Sequence, residues 1–377
     1  MKGKQGLVCM GLLLVLSSCH TGKQITASGL QRKDFQTEVN GQHTDLFTLS
    51  NKQGMEVCIT NYGARVVSIL VPDRNGKRED VVCGFSTITE YMEQRQNFGS
   101  TVGRYIGRIL NARFTLDGVE YKLVPNNGKS GHISHGGNPG FADRIWKVEQ
   151  ADTHRVRLSY LSPDGENGFP GNLKVTLVYS LGEDDNALDL TYEATTDAPT
   201  VLNLSHHSFF NISGNFTKSV EDQQLWVDAD RFTPYDDKKC VTGEYLPVAG
   251  TPLDFRMPHT IGECIDADHP QLKVVNGYDH TWELNTKGDD TRPAAWVYDP
   301  ASGRKMEIFT TEPGMQIYTG NGLKGKMTGK GGIAYPFRSA VCFETMHFQD
   351  SPNQPEFPST VLRPGEVFHS HTVYKFE

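Results

Sequence analysis

Several short stretches of this chain carry side chains whose types and spacing bear on chemistry. Within Val201–Asn211, a His206-His207 pair sits in an otherwise apolar and aromatic run. Burying an imidazole without a partner is costly, so each ring needs either a hydrogen bond or a proton-transfer role. In a strand the two rings point to opposite faces, and only one of them enters a given cleft. Within Ala340–Phe348, Glu344 is the single acid among apolar residues. Alternation places Cys342, Glu344 and Met346 on one face and Val341, Phe343 and Thr345 on the other. Glu is almost never fully buried unless paired. Glu344 is therefore either a strand-end residue in water or a carboxylate with a raised pKa, suited to moving protons near neutrality.

Other stretches are less specific. Gly103–Ile109 sets Arg104 and Arg108 among glycines. Glycines let a backbone approach closely, and an Arg beside them can offer its fork of donors to a ligand's oxygens or serve as an ordinary salt-bridge partner. His132 and His135, flanked by glycines, could hold a metal, touch a substrate or be structural. Asp279, in Asn276–Trp282, has aromatic neighbours. Such a group either binds sugar hydroxyls beside C–H faces laid on rings, or caps its own turn. A metal site built from His135, His206, His207 and Glu344 is disfavoured, because strand alternation separates His206 from His207.

The elements that must position these groups are strands. The 377-residue chain contains 38 glycines and is 10% aromatic and 22% charged, a composition that excludes wholesale disorder. Its formal charge is −8, which makes it a poor general ligand for nucleic acid. Gly, Pro, Asn and Asp punctuate short β-branched runs: Met55–Thr60, Arg65–Val71 and Asp80–Phe85. Phe114–Tyr121 carries Asp117-Gly118, which suits a two-residue hairpin turn. Val156–Leu161, Asn172–Ser180 and Ala187–Thr195 alternate as antiparallel strands with one wet face. Thr87–Gln94 is the one helical candidate. There is no internal repeat or linker over residues 34–377, and the expected fold is an all-β, large antiparallel sandwich of two packed sheets.

The first residues read as an address. Lys2 and Lys4 precede the apolar run Leu7–Leu16, which ends at Ser17-Ser18-Cys19. The run is shorter than the roughly 20 residues a spanning helix needs. Leu16-Ser-Ser-Cys19 resembles a bacterial lipobox. That resemblance implies a signal over 1–18, cleavage before Cys19, lipid on Cys19, and a membrane-anchored protein of a bacterial cell envelope, facing the periplasm. Residues 19–33 read as a polar tether. Cys58, Cys83, Cys240, Cys264 and Cys342 remain, with no C-x-x-C pair, so a redox or metal motif is not expected and any disulfide pairing stays open.

Taken in order, these residues resemble the aldose 1-epimerase (galactose mutarotase) family from about Phe47 to the C-terminus. Gly103-Arg-Tyr-Ile-Gly-Arg-Ile109 is similar to the family's Gly-Arg-x-x-Asn-Arg-Ile. His135-Gly-Gly-Asn-Pro-Gly-Phe141, Ser162-Pro-Asp-Gly-Glu-Asn-Gly-Phe-Pro-Gly171 and Asn203-Leu-Ser-His-His-Ser-Phe-Phe-Asn211 follow its motifs. So do Thr251–Arg256, Gly277-Tyr-Asp-His280, Pro313–Asn321 and Phe343-Glu-Thr345. The resemblance implies a galactose mutarotase-like β-sandwich that interconverts α and β anomers of free monosaccharides of the glucose and galactose class. Glu344 would be general base and His207 general acid; Arg108, His135, Asp279 and Gln316 would bind sugar hydroxyls or steady the ring. It implies no metal, nucleotide or other cofactor. Two positions depart from the family pattern, Gly107 and His206, where Asn is usual at both. The alternatives are a lipid-anchored carbohydrate-binding protein without catalysis, and an epimerase for a more specialised sugar.

Overall fold

The computed structural model describes residues 24–377. The signal over 1–18, Cys19 and the start of the tether lie outside the described residues.

Strand follows strand because β-branched and aromatic residues alternate with turn residues, and every sheet is antiparallel. The largest sheet has nine strands, running from Lys147–Ala151 at one edge to His259–Thr260 at the other. Its middle is built from Leu173–Leu181, Ala187–Thr196, the C-terminal strand Phe368–Phe376 and Lys305–Thr310. Chain end and chain middle are thus zipped together at the centre, through pairs such as Leu190↔Thr372 and Ile308↔Tyr374. A six-stranded sheet and a four-stranded sheet complete the sandwich. One core joins the three sheets: Leu177 and Leu190 meet Ile317 and Phe343, with Val57 and Ile69 from the four-stranded sheet. Burial of this kind stabilises by about 25 cal/mol per Å² of apolar surface.

The hairpin appears as Arg113–Leu116 and Val119–Lys122, turning at Asp117-Gly118. The helix spans Ile88–Gln94, started by Thr87, which exchanges a reciprocal cap with Glu90. A second helix, Pro270–Val275, has Pro at its first position and a His269 side-chain cap. It is too short for helical periodicity to show in the sequence. The stretch read as a tether is, from Gln24 onward, seated on the domain. Glu56 accepts the Ala27 and Ser28 N–H groups, Arg32 pairs with Asp45, and Leu30 and Phe35 are buried. The apolar residues within that polar stretch are what hold it down. All five described cysteines are free. No helix among the described residues is long and apolar enough to cross a membrane.

Candidate active site

The six-stranded sheet builds the floor of the site by simple alternation. Strands Asp279–Glu283, Gly314–Tyr318 and Val341–Met346 lie side by side. Thr281, Gln316 and Glu344 are cross-strand partners in one row. Asp279, Tyr318, Cys342 and Phe209 form the next row on the same face. The row between them, Ile317 and Phe343, and the row beyond, Phe210 and Val341, turn into the core. One register therefore sends acids and amides one way and hydrocarbon the other.

The walls come from elsewhere. Ser205–His207 pairs with Ser100–Val102 and delivers His207. Arg108 and Ser134 face each other across a short ladder, and His135 follows in the left-handed region. Gly136 is required beside it, because a Cβ there would run into the Gly103 carbonyl. Together these residues enclose a cavity of about 260 Å³ lined by Asn97, Arg108, His135, His207, Asp279, Gln316, Tyr318, Glu344 and Gln349 among others. That volume sits just below the roughly 300–1,000 Å³ of pockets for drug-sized ligands and is on the scale of one sugar ring. Arg108, His135, His207, Asp279, Gln316 and Glu344 all meet here.

His207 Nε2 lies 3.4 Å from Glu344 Oε1, with the two residues 6% and 3% exposed. His207 stacks on Phe209 at 5.0 Å and meets the His135 ring edge-on at 5.6 Å. Burial, then neighbouring His135, holds the His207 pKa well below the ordinary imidazole range. Burial, then the Asp279 charge, drives the Glu344 carboxyl well above its ordinary value. His135 is pushed down to about 4, by burial first and the Arg108 charge second. Burial also raises Asp279, opposed by Arg108 and by Gln316, whose amide donates to Asp279 Oδ1 at 2.6 Å. Gln316 Oε1 in turn accepts from Thr281 at 2.5 Å, which fixes the amide's orientation.

Several residues singled out from sequence stand outside the cavity. Arg104 is 2% exposed and donates to the carbonyls of Pro170 and Gly171 and to Ser162 Oγ. It clamps the Ser162–Gly171 loop, and Asn167 of that loop donates to the carbonyls of Gly136 and Pro139. The arginine and the Ser-Pro-Asp-Gly-Glu loop are thus supports for His135. His206 points away from His207, bonded to Ser208 Oγ at 2.6 Å and reaching Tyr179 on the nine-stranded sheet. Its departure from the family pattern faces the core. Conversely, Tyr318 and Gln349 line the cavity and were not read from sequence. Alternation from Gln316 would have pointed to Tyr318, whereas Gln349 sits in a turn that carries no such signal. Among the described residues, His207, Cys342 and Glu344 place one donor atom each within 4.8 Å of one another, the single cluster that could hold a metal.

An antiparallel sandwich that sets a buried acid beside an imidazole in the wall of a polar cavity on the scale of one sugar ring has the parts of an acid–base enzyme. The aldose 1-epimerase family model matches residues 45–375. The chain is 39% identical to galactose mutarotase of Sus scrofa over 330 residues, covering 88% of this chain and 93% of that protein. It is 36% identical to aldose 1-epimerase of Escherichia coli (strain K12) over 339 residues, 89% of this chain and 96% of that protein. A solved aldose epimerase homologue from C. elegans superposes with a TM-score of 0.81 at 31% identity, covering 89% of this chain and 99% of that one. The chain belongs to the aldose 1-epimerase family; it is an isomerase that interconverts the anomers of aldoses.

Proposed function

We propose that His207 and Glu344 open and reclose the ring of a free monosaccharide, His207 as general acid and Glu344 as general base. The 3.4 Å approach of these two groups inside the cavity carries the reading. Glu344 takes the proton of the anomeric O1 while His207 protonates the ring O5. The C1–O5 bond breaks as the C1–O1 bond becomes a carbonyl. Rotation about C1–C2 presents the other face of the aldehyde; as O5 attacks it, Glu344 returns its proton to O1 and His207 takes its proton back from O5. The cycle neither gains nor loses a proton, so the pair needs to hold one between them. Before sugar binds, burial favours the neutral forms of both groups, with that proton on Glu344. Moving it to His207 is the activation step that a bound sugar's hydroxyls assist by solvating the charged pair. Arg108, His135, Asp279 and Gln316 hold hydroxyls remote from C1 and keep the open chain in place during the rotation.

A catalytically silent binding protein would have no use for an opposed acid and imidazole at this distance. A phosphosugar would call for more than Arg108, the one Arg or Lys among the described residues that line the cavity. We further propose export and lipid attachment through Cys19, supported by the Lys2–Cys19 pattern. Such an enzyme would equilibrate anomers released by glycan breakdown in the envelope. Polarimetry of freshly dissolved α-D-glucose and α-D-galactose with the purified protein tests the reaction. Rotational equilibrium should be reached faster with the native chain and not with Glu344→Gln. A folded native chain that accelerates neither these nor other free aldoses would overturn the reading.

A further inference from the structure

Gly107 lines the cavity with φ +76°, and a Cβ built on it would lie 2.5 Å from Gln349 Cγ and 3.1 Å from Gln349 Cδ. Position 107 has no room for a side chain because Gln349 fills that space. The Gln349 carboxamide is held from several sides. Its turn is docked on the same loop: Asp350 N–H donates to the Arg108 carbonyl, and Asp350 Oδ1 accepts from Leu110 N–H. Tyr105 OH donates to the Phe348 carbonyl and accepts from Ser351 N–H. Gln349 Nε2 donates to Tyr235 OH at 2.6 Å and reaches Gln316 Oε1 at 3.4 Å. Both amide protons are thereby occupied within the network that orients Gln316 and Asp279. The carbonyl oxygen Oε1 has no donor among the described residues, though Gln349 is 5% exposed and lines the cavity. That oxygen is not among the buried side-chain atoms without a partner, so it is open to the cavity and free to accept from a donor that arrives with the ligand.

We infer that Gln349 is a substrate-binding residue that accepts a hydrogen bond from a sugar hydroxyl through Oε1, and that Gly107 and Gln349 form a matched pair in which residue 349 supplies the amide that residue 107 cannot carry. This rests on the cavity being the monosaccharide site. Gln349 is hydrogen-bonded to Tyr235 and Gln316 and not to His207 or Glu344, so the hydroxyl it takes is one other than the anomeric O1 on which that pair acts. The pairing also accounts for the left-handed glycine: Asn is the side chain that best tolerates this backbone region, yet here it would collide with Gln349.

The test compares Gln349→Ala with the native chain by polarimetry on D-galactose and D-glucose and on their 2-, 3-, 4- and 6-deoxy analogues. Loss of one hydrogen bond to the sugar should raise KM about three- to tenfold with kcat nearly unchanged, while truncation of a buried side chain lowers the melting temperature without preventing folding. The penalty should vanish for the one deoxy sugar that lacks the partner hydroxyl. Gly107→Asn in the Gln349→Ala background should recover part of the lost affinity, whereas Gly107→Asn alone should lower the melting temperature. Titrating D-galactose into Glu344→Gln, with and without Gln349→Ala, reads the same contact without turnover, so failure of the mutarotase reading would not disguise failure of this one. An unchanged KM and Kd, or an equal penalty on every deoxy sugar, would overturn the proposal.

Discussion

His207 and Glu344 show how much of the chemistry rests on burial. Each is nearly inaccessible, and each is pushed toward its neutral form by loss of water. Removing either proton-transfer group should reduce kcat by about 10²–10⁴-fold. Glu344→Gln and His207→Asn should both do so with native circular dichroism, since they preserve shape; near-native rates in either would show that the role belongs to another group. The pKa directions also set the pH profile. The pair works while it carries one proton. It gains a second only below the lowered His207 value and loses its own only above the raised Glu344 value. The plateau of kcat/KM should therefore extend to pH well below the ordinary imidazole value of about 6.5, with limbs that belong to the pair. An acid limb centred at the ordinary imidazole value would contradict the buried environment of His207.

Elements, rather than single residues, explain why so much of the family-like sequence never touches the cavity. The Ser162–Gly171 loop acts on the site through Arg104 behind it and Asn167 beside the His135 loop. Arg104→Ala would leave buried carbonyls unpaired, at a cost on the order of 2–5 kcal/mol. It should lower the melting temperature and, in the surviving folded fraction, raise KM through a loosened His135; thermal melts and polarimetry on one preparation separate the two effects. Strand Phe368–Phe376 offers a different prediction. His371 lies between Asp189, 3.2 Å away, and Asp290, 2.7 Å away. The Asp189 contact leads in raising its pKa, against burial, with Asp290 adding to it. A folded value above the unfolded one means that this stabilisation is complete below about pH 6.5 and fades as pH rises through the folded value. His371→Gln should flatten that part of the stability-versus-pH curve in denaturant titrations.

At the scale of the whole molecule, the sandwich is closed by its own C-terminal strand, which lies at the centre of the nine-stranded sheet. Truncation before Phe368 should prevent folding rather than trim an edge. The opposite end is expected to behave otherwise. If Cys19 carries lipid, Cys19→Ala should move the protein from membrane to soluble fractions while leaving mutarotation of galactose unchanged. Soluble protein in both cases would remove the anchor. The segment from Gln24 to Phe35 is packed on the four-stranded sheet through Glu56, so any tether available to the anchor ends before Gln24.

Local pattern determined much of this. Alternation around Glu344 stated which neighbours share its face, the period of two separated His206 from His207, and Asp117-Gly118 turned the hairpin. Those are short-range consequences of backbone geometry and need no knowledge of what packs opposite. The tertiary structure alone decided that Arg104 is a buried clamp while Arg108, four residues on, lines the cavity. It alone set Gln316 opposite Glu344 and filled the space over Gly107 with Gln349, from 242 residues further along the chain. Register between strands distant in sequence, and the meeting of two loops far apart along the chain, depend on how whole sheets bury their apolar faces. No window of local sequence contains that sum.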